Sequence, residues 1–404
     1  MTQRTPKATP SDTVSPRVRS WLLAAGVVCA IYGLCAIAIY ALHFTKYPWQ
    51  DWMVYYTAAR AVLEANLPLV FDGERLTAQI NADFADWLPQ PLSFHPFLYP
   101  PTFLLLLVPF AVLPFAAACL LFLAASFAAL VAAIWRVVGP GYRRWLHLAS
   151  LALAPAVWFN VGSGQNAFLT SALLVGGFGL LARRPLVAGV LLGLATYKPQ
   201  LWLLAPVVLV AARQWRALAT ALLTAGVMVL ASLAAFGIEP WRAWISWFIA
   251  APPEIYQTWL QAGRLHGQSI YTDLVLIGVS HSVATAGQML ATLLAAGVAW
   301  WCYSRSMPPN LRLATLLAAT VLAAPHVTNY DTVLLVVAAT LVFAYGLDHG
   351  FGRGGVLVPV LVWMIQLFNP PNVYRIGLLT PLLTVLLVAC AITRGRADCV
   401  TGGH

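Results

Sequence analysis

From Phe97 to Val138 the chain carries a single charged residue, Arg136. A helix or strand at the surface of a water-soluble domain would show polar residues at every second to fourth position. An apolar run this long fits lipid instead, where every backbone amide must be satisfied without water. Helices and closed barrels are the two ways to do that, and a barrel would show segments of about ten residues alternating apolar with polar. The apolar runs here are longer and continuous, so the chain reads as all-α. The rest of the 404 residues agrees: 61% are hydrophobic and 9% are charged, against about 25% charged in a soluble domain. This excludes a soluble globular enzyme, a disordered chain and a solvated repeat array. No repeat period of 20–50 residues is visible.

Apolar spans are expected at 21–43, 97–138, 147–161, 166–182, 185–197, 199–212, 217–237, 284–303, 311–326, 331–347, 355–369 and 376–393. The long run 97–138 divides into a re-entrant or tilted part (97–115) and one true span (116–138), which gives about twelve crossings. The pair 185–197 and 199–212, broken at Lys198-Pro199, reads as two short helices meeting at a buried turn, a break tolerated where it lines a cavity. The polar segment 1–20 is a cytoplasmic tail, 21–393 one transmembrane domain, and 394–404 a second cytoplasmic tail. The run after Trp21 is too long for a signal-peptide core and is read as a retained first span.

The formal charge of +10 does not point to nucleic acid. Only Lys7, Lys46 and Lys198 are lysines; the other basic residues are arginines, concentrated at the ends of the apolar runs. With 1–20 inside, Arg183/Arg184, Arg213/Arg216, Arg305/Arg312, Arg353 and Arg394/Arg396 all fall on the inner side, as the positive-inside rule requires. Asp51, Asp72, Asp83, Asp86, Glu239, Glu254, Asp273 and Asp331 then fall outside, most of them in two long outer segments, 44–96 and 238–283. Trp241, Trp244 and Trp247 share one face of a helix in the second segment, suited to lie in the interface. Cys29, Cys35, Cys119 and Cys390 lie in apolar runs and read as small buried hydrophobes, without metal or disulfide spacing.

Few charged residues remain without a topological explanation. Asp51, between Trp49 and Trp52, is an acid just past a membrane exit whose pKa desolvation would set. It also reads as the cap of a helix starting near Trp52, and spacing alone favours the cap. Lys198 is the one lysine at membrane depth, where charge is placed against a cavity or partner; it either holds an anionic group or snorkels from a helix end. Gln165 and Asn166 follow Gly162-Ser-Gly164, where backbone can approach a ligand and amides can bond hydroxyls, or where two helices simply turn. His326, Asn329, Tyr330 and Asp331 gather four polar groups at one helix junction. Arg264, His266 and Gln268 stand on the second outer segment, and Arg264 or Arg375 could fork onto phosphate. There is no Walker loop, dinucleotide fingerprint, His-Glu-x-x-His helix or Gly-x-Ser-x-Gly elbow.

In order along the chain stand Asp51-x-x-x-Tyr55-Tyr56-x-Ala-Ala-Arg60 with Phe71-Asp72; Tyr99-Pro-Pro-Thr-Phe with Leu113-Pro114; Gly164-Gln165-Asn166 before Ala188-Gly189 and Lys198-Pro199; and Pro325-His326 with Tyr330-Asp331. This ordered set, covering about 45–335, resembles glycosyltransferase family 87, the polyprenyl-phosphate-mannose-dependent, mannosyltransferase-like membrane proteins of the GT-C class. Residues 350–404 match only as apolar helices. The resemblance implies a GT-C fold with a long first outer loop carrying interfacial helices. It implies a hexosyltransferase, most simply a mannosyltransferase, of the plasma (inner) membrane with its site facing outside. Asp51 would be the general base and His326 a second catalytic group. Lys198, Tyr55, Tyr56, Arg60, Gln165, Asn166, Arg264, His266, Tyr330 and Asp331 would bind substrate. The implied partners are a polyprenyl-phosphate sugar donor, a lipid-linked or glycan acceptor and membrane lipids, with no cofactor, no metal and no nucleic acid. A transporter or flippase of a lipid-linked sugar shares the broken helix at Lys198-Pro199, and a scaffold subunit with a degenerate site is a third reading.

Overall fold

Proline sets the joints of this bundle. Pro101, Pro155, Pro185, Pro199 and Pro309 each open a helix, where the missing N–H costs nothing and the fixed φ is already helical. The computed structural model describes residues 26–27, 30–35, 37–38, 41–42, 48–250, 267–351, 355–367 and 379–401, and side chains among these except for 248–250 and 396–401. The tail 1–20 and about half of the expected first span 21–43 therefore lie outside the described residues.

The first outer segment folds as α1 (Gln50–Leu63), the single turn α2 (Leu67–Val70) and α3 (Gly73–Asp83). The side chain of Asp72 accepts from the backbone N–H of Arg75 at 3.1 Å and so caps α3. Next comes α4 (Pro101–Leu107), which tightens into a 3-10 turn over Val108–Val112, and then α5 (Phe115–Val137), long enough to cross. This matches the division expected within 97–138. The single span expected at 147–161 differs: α6 (Tyr142–Leu153) and α7 (Pro155–Ser163) meet at a bend of 54°, because Pro155 cannot supply the hydrogen bond that would continue α6.

The chain continues with α8 (Ala167–Leu180), α9 (Pro185–Leu194), a 3-10 turn over Ala195–Tyr197, and the short helices α10 (Pro199–Trp202) and α11 (Leu204–Ala211). The break expected at Lys198-Pro199 is present. Then follow α12 (Trp215–Phe236) and α13 (Glu239–Ala250). Past 266 come α14 (Ile270–Leu276), α15 (His281–Tyr303), α16 (Pro309–Ala323), a 3-10 turn over Asn329–Thr332, α17 (Val333–His349), α18 (Leu357–Trp363) and α19 (Leu379–Thr401).

Among the described residues, four helices are long and apolar enough to cross a membrane alone, or five if α6–α7 count as one bent span. Six further apolar helices are 10–17 residues long, short of the roughly 20 that a full crossing needs. The expected count of twelve crossings includes these short ones. The 3-10 turn and α17 form the most enclosed of the long helices, with 83% of their apolar window buried. In contrast, α12 and α15 expose apolar faces such as Leu222, Leu223, Leu230, Leu290 and Leu293, as helices bordering lipid do.

Packing between α9 and α12 depends on two glycines one turn apart. A Cβ on Gly189 would stand 2.5 Å from the Ala217 carbonyl oxygen, and one on Gly193 2.6 Å from that of Ala221. Such small-residue spacing lets helix backbones approach closely where no hydrophobic effect draws them together. It also fixes where α9 ends, and therefore where Lys198 stands.

Candidate active site

Five interruptions of helix meet at one end of the bundle: the start of α1, the approach to α4, and the α7–α8, α9–α10 and α16–α17 junctions. Helix ends leave backbone groups without intrahelical partners, so polar side chains collect there. Trp49 precedes α1 in the left-handed region (φ 54°), and its N–H donates to the Gly162 carbonyl at 2.9 Å. That bond ties α1 to the α7–α8 turn. At the turn, Gly164 has φ 71°, and a Cβ there would lie 2.6 Å from the Trp52 Cβ. Glycine is required at this position for both conformation and space.

The polar groups form one connected set. Gln165 stands by the Asp51 carboxylate and lowers its pKa. The Tyr55 hydroxyl donates to Gln165 Oε1 at 2.5 Å and lies 2.8 Å from the Tyr99 hydroxyl. Asn166 Nδ2 donates to the Tyr55 oxygen at 3.0 Å. Lys198 Nζ donates to Asn166 Oδ1 at 3.2 Å and to Asp331 Oδ1 at 2.5 Å. The second Asp331 oxygen accepts from the backbone N–H and hydroxyl of Thr328, both at 3.1 Å, closing a capping box on the turn before α17. Lys198 Nζ also stands 5.2 Å from the centroid of the Tyr330 ring, within cation–π range.

Burial divides this set. Lys198 and Asp331 are each 2% exposed, and Tyr55, Gln165 and Asn166 are also buried. Asp51, Tyr99, His326 and Tyr330 are partly exposed. These four form the accessible edge of an otherwise enclosed cluster. Asp51 keeps an accessible surface among buried neighbours. Burial pushes its carboxyl up to about 6; Gln165 and the Lys198 charge oppose that rise and the Asp331 charge adds to it. A carboxylate poised there is ionised at neutral pH and still basic enough to accept a proton.

The residues singled out from sequence separate clearly. Asp51, Tyr55, Gln165, Asn166, Lys198, Tyr330 and Asp331 come together, and the Asp331 and Lys198 charges bear on His326 as well. The cap reading of Asp51 is not what forms: α1 starts at Gln50, no side chain caps it, and Asp51 sits within its first turn. Asp331 is a buried partner of Lys198 rather than a solvated outer acid, and Lys198 does not snorkel. Two neighbours stay apart from the cluster. The Tyr56 hydroxyl donates to the Leu113 carbonyl at 2.8 Å, and exposed Arg60 pairs with exposed Glu64 at 2.7 Å. Arg264, His266 and Arg375 lie outside the described residues.

Sequence reading missed two features. Tyr99 was visible as part of a motif, but only the fold puts its hydroxyl beside the Tyr55 hydroxyl and the Gln165 amide oxygen. The second is a buried amide cluster adjoining the first. Gln268 and Gln366 exchange hydrogen bonds at 3.1 Å in both directions, Thr380 donates to Gln268 at 2.9 Å, and Gln366 donates to Thr332 at 2.8 Å. Gln268 Nε2 also donates to Asn329 Oδ1, its backbone N–H bonds the Val327 carbonyl, and Gly267 bridges Thr328. This cluster ties the apparently featureless C-terminal helices to the turn that carries Asp331. Among the described residues, no three His, Cys, Asp or Glu side chains gather as a metal site would require.

An apolar helical bundle that buries the Lys198–Asp331 pair among polar side chains, near a partly accessible carboxylate, defines a polytopic membrane protein with a buried polar cluster. A model of glycosyltransferase family 87 matches residues 97–325, more than half of the chain. The chain belongs to that family and is a membrane glycosyltransferase. No curated protein and no solved structure matches it. The matched residues include Tyr99, Gln165, Asn166 and Lys198 and end one residue before His326. Tyr330 and Asp331 thus enter the site by their contacts with Lys198, and Asp51 and His326 by the Lys198 and Asp331 charges that reach them.

Proposed function

We propose that the protein transfers a hexose, most simply mannose, from a polyprenyl-phosphate donor to a hydroxyl of a lipid-linked or glycan acceptor. The reaction takes place at the outer face of the plasma membrane, with both termini cytoplasmic and no metal or cofactor. The observation that carries this reading is Asp51: a partly accessible carboxylate on which Gln165, the Lys198–Asp331 pair and Tyr330 bear. As the acceptor oxygen bonds to the anomeric carbon, its proton passes to Asp51. The bond from that carbon to the phosphate oxygen breaks, and polyprenyl phosphate leaves with the electron pair. Single displacement inverts the centre, so a β-linked donor gives an α-linkage.

The rim suits a sugar. Tyr99 and Tyr330 offer hydroxyls and ring faces, and His326 offers a ring nitrogen to an acceptor hydroxyl. Charge on the departing phosphate requires donors. Two of the three donors of the Lys198 ammonium are occupied by Asn166 and Asp331, so Lys198 acts on the site chiefly through those partners. Arg264 remains a proposed phosphate ligand and His266 a substrate-binding residue; in sequence they stand just before Gly267, which bridges the Thr328 turn. The test is sugar transfer from polyprenyl-phosphate-linked mannose by membranes carrying wild type or Asp51→Asn. Loss of product in the variant, at equal protein level, supports the reading; unchanged product removes Asp51 from the chemistry.

A further inference from the structure

The connection between α15 and α16 carries two arginines that the active site does not use. It lies at the far end of the bundle from the polar cluster, because α16 spans about 22 Å between Pro309 and the junction bearing His326 and Asp331. There Tyr303, Arg305, Ser306, Met307 and Arg312 line an open pocket of about 590 Å³, within the roughly 300–1,000 Å³ usual for ligand sites. The Arg312 guanidinium carbon stands 4.9 Å from the centroid of the Tyr303 ring, and that of Arg305 5.4 Å from the Trp301 ring. A guanidinium held by its face against a ring keeps its N–H edge for another partner. Among the described residues no carboxylate pairs with either arginine, and no acidic residue lines the pocket. The wall is braced from behind: a Cβ on Gly395 of α19 would stand 3.0 Å from the Met307 side chain.

We propose that this pocket binds the headgroup of a net-anionic phospholipid in the leaflet at this end of the bundle, with Arg305 and Arg312 forking onto phosphate oxygens. Two cations without a carboxylate select the ligand's charge. A zwitterionic headgroup would bring an ammonium against two guanidinium groups with nothing to receive it. The N-terminus of α16 adds its partial positive charge to theirs. The pocket's place on α15 selects a lipid over a soluble phosphate. Leu290, Leu293, Leu294 and Trp300 of that helix are exposed, so its apolar outer face leads down to the arginines. An exposed tryptophan in the last turn of a crossing helix stands at headgroup depth. Acyl chains would lie along that face while the phosphate enters the pocket.

The test titrates the purified full-length protein, in neutral detergent, with phosphatidylglycerol or phosphatidylcholine and counts bound lipid by native mass spectrometry. Wild type should retain phosphatidylglycerol in preference to phosphatidylcholine and melt at a higher temperature with it. Each arginine near a membrane surface contributes about a fivefold gain in affinity for anionic lipid. Arg305→Gln should therefore weaken phosphatidylglycerol about fivefold, and Arg305→Gln/Arg312→Gln about twentyfold or more. The single variant changes an exposed connecting residue, so it remains a measure if the double variant fails to fold. Arg183→Gln/Arg184→Gln removes two exposed arginines between α8 and α9, at the same end of the bundle, and should keep the affinity within about twofold. Glycerol phosphate, which has the phosphate without the tails, should not displace the lipid at equal concentration. Equal retention of the two lipids, wild-type affinity in Arg305→Gln, or an equal loss in the Arg183/Arg184 variant would overturn the inference. Displacement by glycerol phosphate at equal concentration would overturn it too, since the pocket would then take a soluble anion.

Discussion

One helix joins two ion pairs of opposite character. Asp331 stands just before α17 and meets Lys198 with 3% and 1% of the lysine and aspartate side chains exposed. Asp348 stands in the last turn of α17 and meets Arg143 with 32% of the arginine and 19% of the aspartate exposed; the Tyr142 hydroxyl donates to the same carboxylate. At the exposed end water can replace either partner. At the buried end the remaining polar atoms are fixed by Asn166 and Thr328, and water cannot compensate for loss of one ion. The arginine pair stands partly in the open; the lysine pair lies inside the polar cluster.

The largest expected effect separates the two ends by chemistry. Asp51→Asn should lower transfer by about 10²- to 10⁴-fold, the usual contribution of a general base. Asp348→Asn should leave the rate within about twofold. The loss at Asp51 should come without loss of fold. Its carboxyl rises from 3.8 to about 6 on folding, so its favourable contribution is complete below pH about 4 and is lost as pH rises through 6. Ionised Asp51 then costs on the order of 2–3 kcal/mol at neutral pH. The asparagine variant should melt at or above the wild-type temperature in detergent at pH 7. A variant that is inactive and also unstable would point to a structural role instead.

Next in size is the asymmetry between the pairs themselves. Lys198→Met leaves a carboxylate buried and unpaired and should cost about 3–5 kcal/mol. Arg143→Met should cost about 1 kcal/mol or less, since the pair is partly exposed. Lys198→Met/Asp331→Leu should recover most of the first loss, because no ion is left alone. Thermal or denaturant unfolding of the purified variants measures all three, and equal losses for Lys198→Met and Arg143→Met would remove the distinction between the ends.

How far these ends were legible in sequence follows from what each needs. The arginine end is a matter of composition: Arg183/Arg184 and Arg305/Arg312 mark loop positions by residue type alone. The broken helix at Lys198-Pro199 was legible because proline after an isolated cation leaves few alternatives. Asp51, Gln165 and His326 were legible as scarce polar groups at span ends. Their partners were not. Nothing local tells that Lys198 meets Asp331, 133 residues later, or that Gln268 meets Gln366 and Thr380 across helices with no motif of their own. Conversely, Tyr56 and Arg60 looked like members of the site because they share a run with Asp51. A helix turns 100° per residue, so adjacent positions face different ways, and only Tyr55 turns inward.

The pH dependence sharpens the comparison in solution. With Asp51 poised near 6, transfer should fall as pH drops through that value, about tenfold per unit below it, because only the ionised base accepts the proton. A rate that stays level down to pH about 4.5 would mean that the base is another group or has an ordinary carboxylate pKa.

The smallest effects belong to the two residues that share the run with Asp51 but not its site. Tyr56→Phe removes one hydrogen bond, to the Leu113 carbonyl, and should cost about 1 kcal/mol of stability with little change in rate. Arg60→Gln breaks an exposed pair with Glu64, whose partners are 49% and 56% exposed; such pairs contribute about 0.3–0.5 kcal/mol. Set against Tyr55→Phe, these variants measure how sharply α1 divides its faces. Tyr55 and Tyr56 are adjacent, equal in chemistry and both hydrogen-bonded, so any difference in catalytic effect comes from direction alone. If Tyr56→Phe or Arg60→Gln raised KM tenfold while leaving the melting temperature unchanged, substrate would reach the outer face of α1 as well, and the site would extend beyond the buried cluster toward the surface around Glu64.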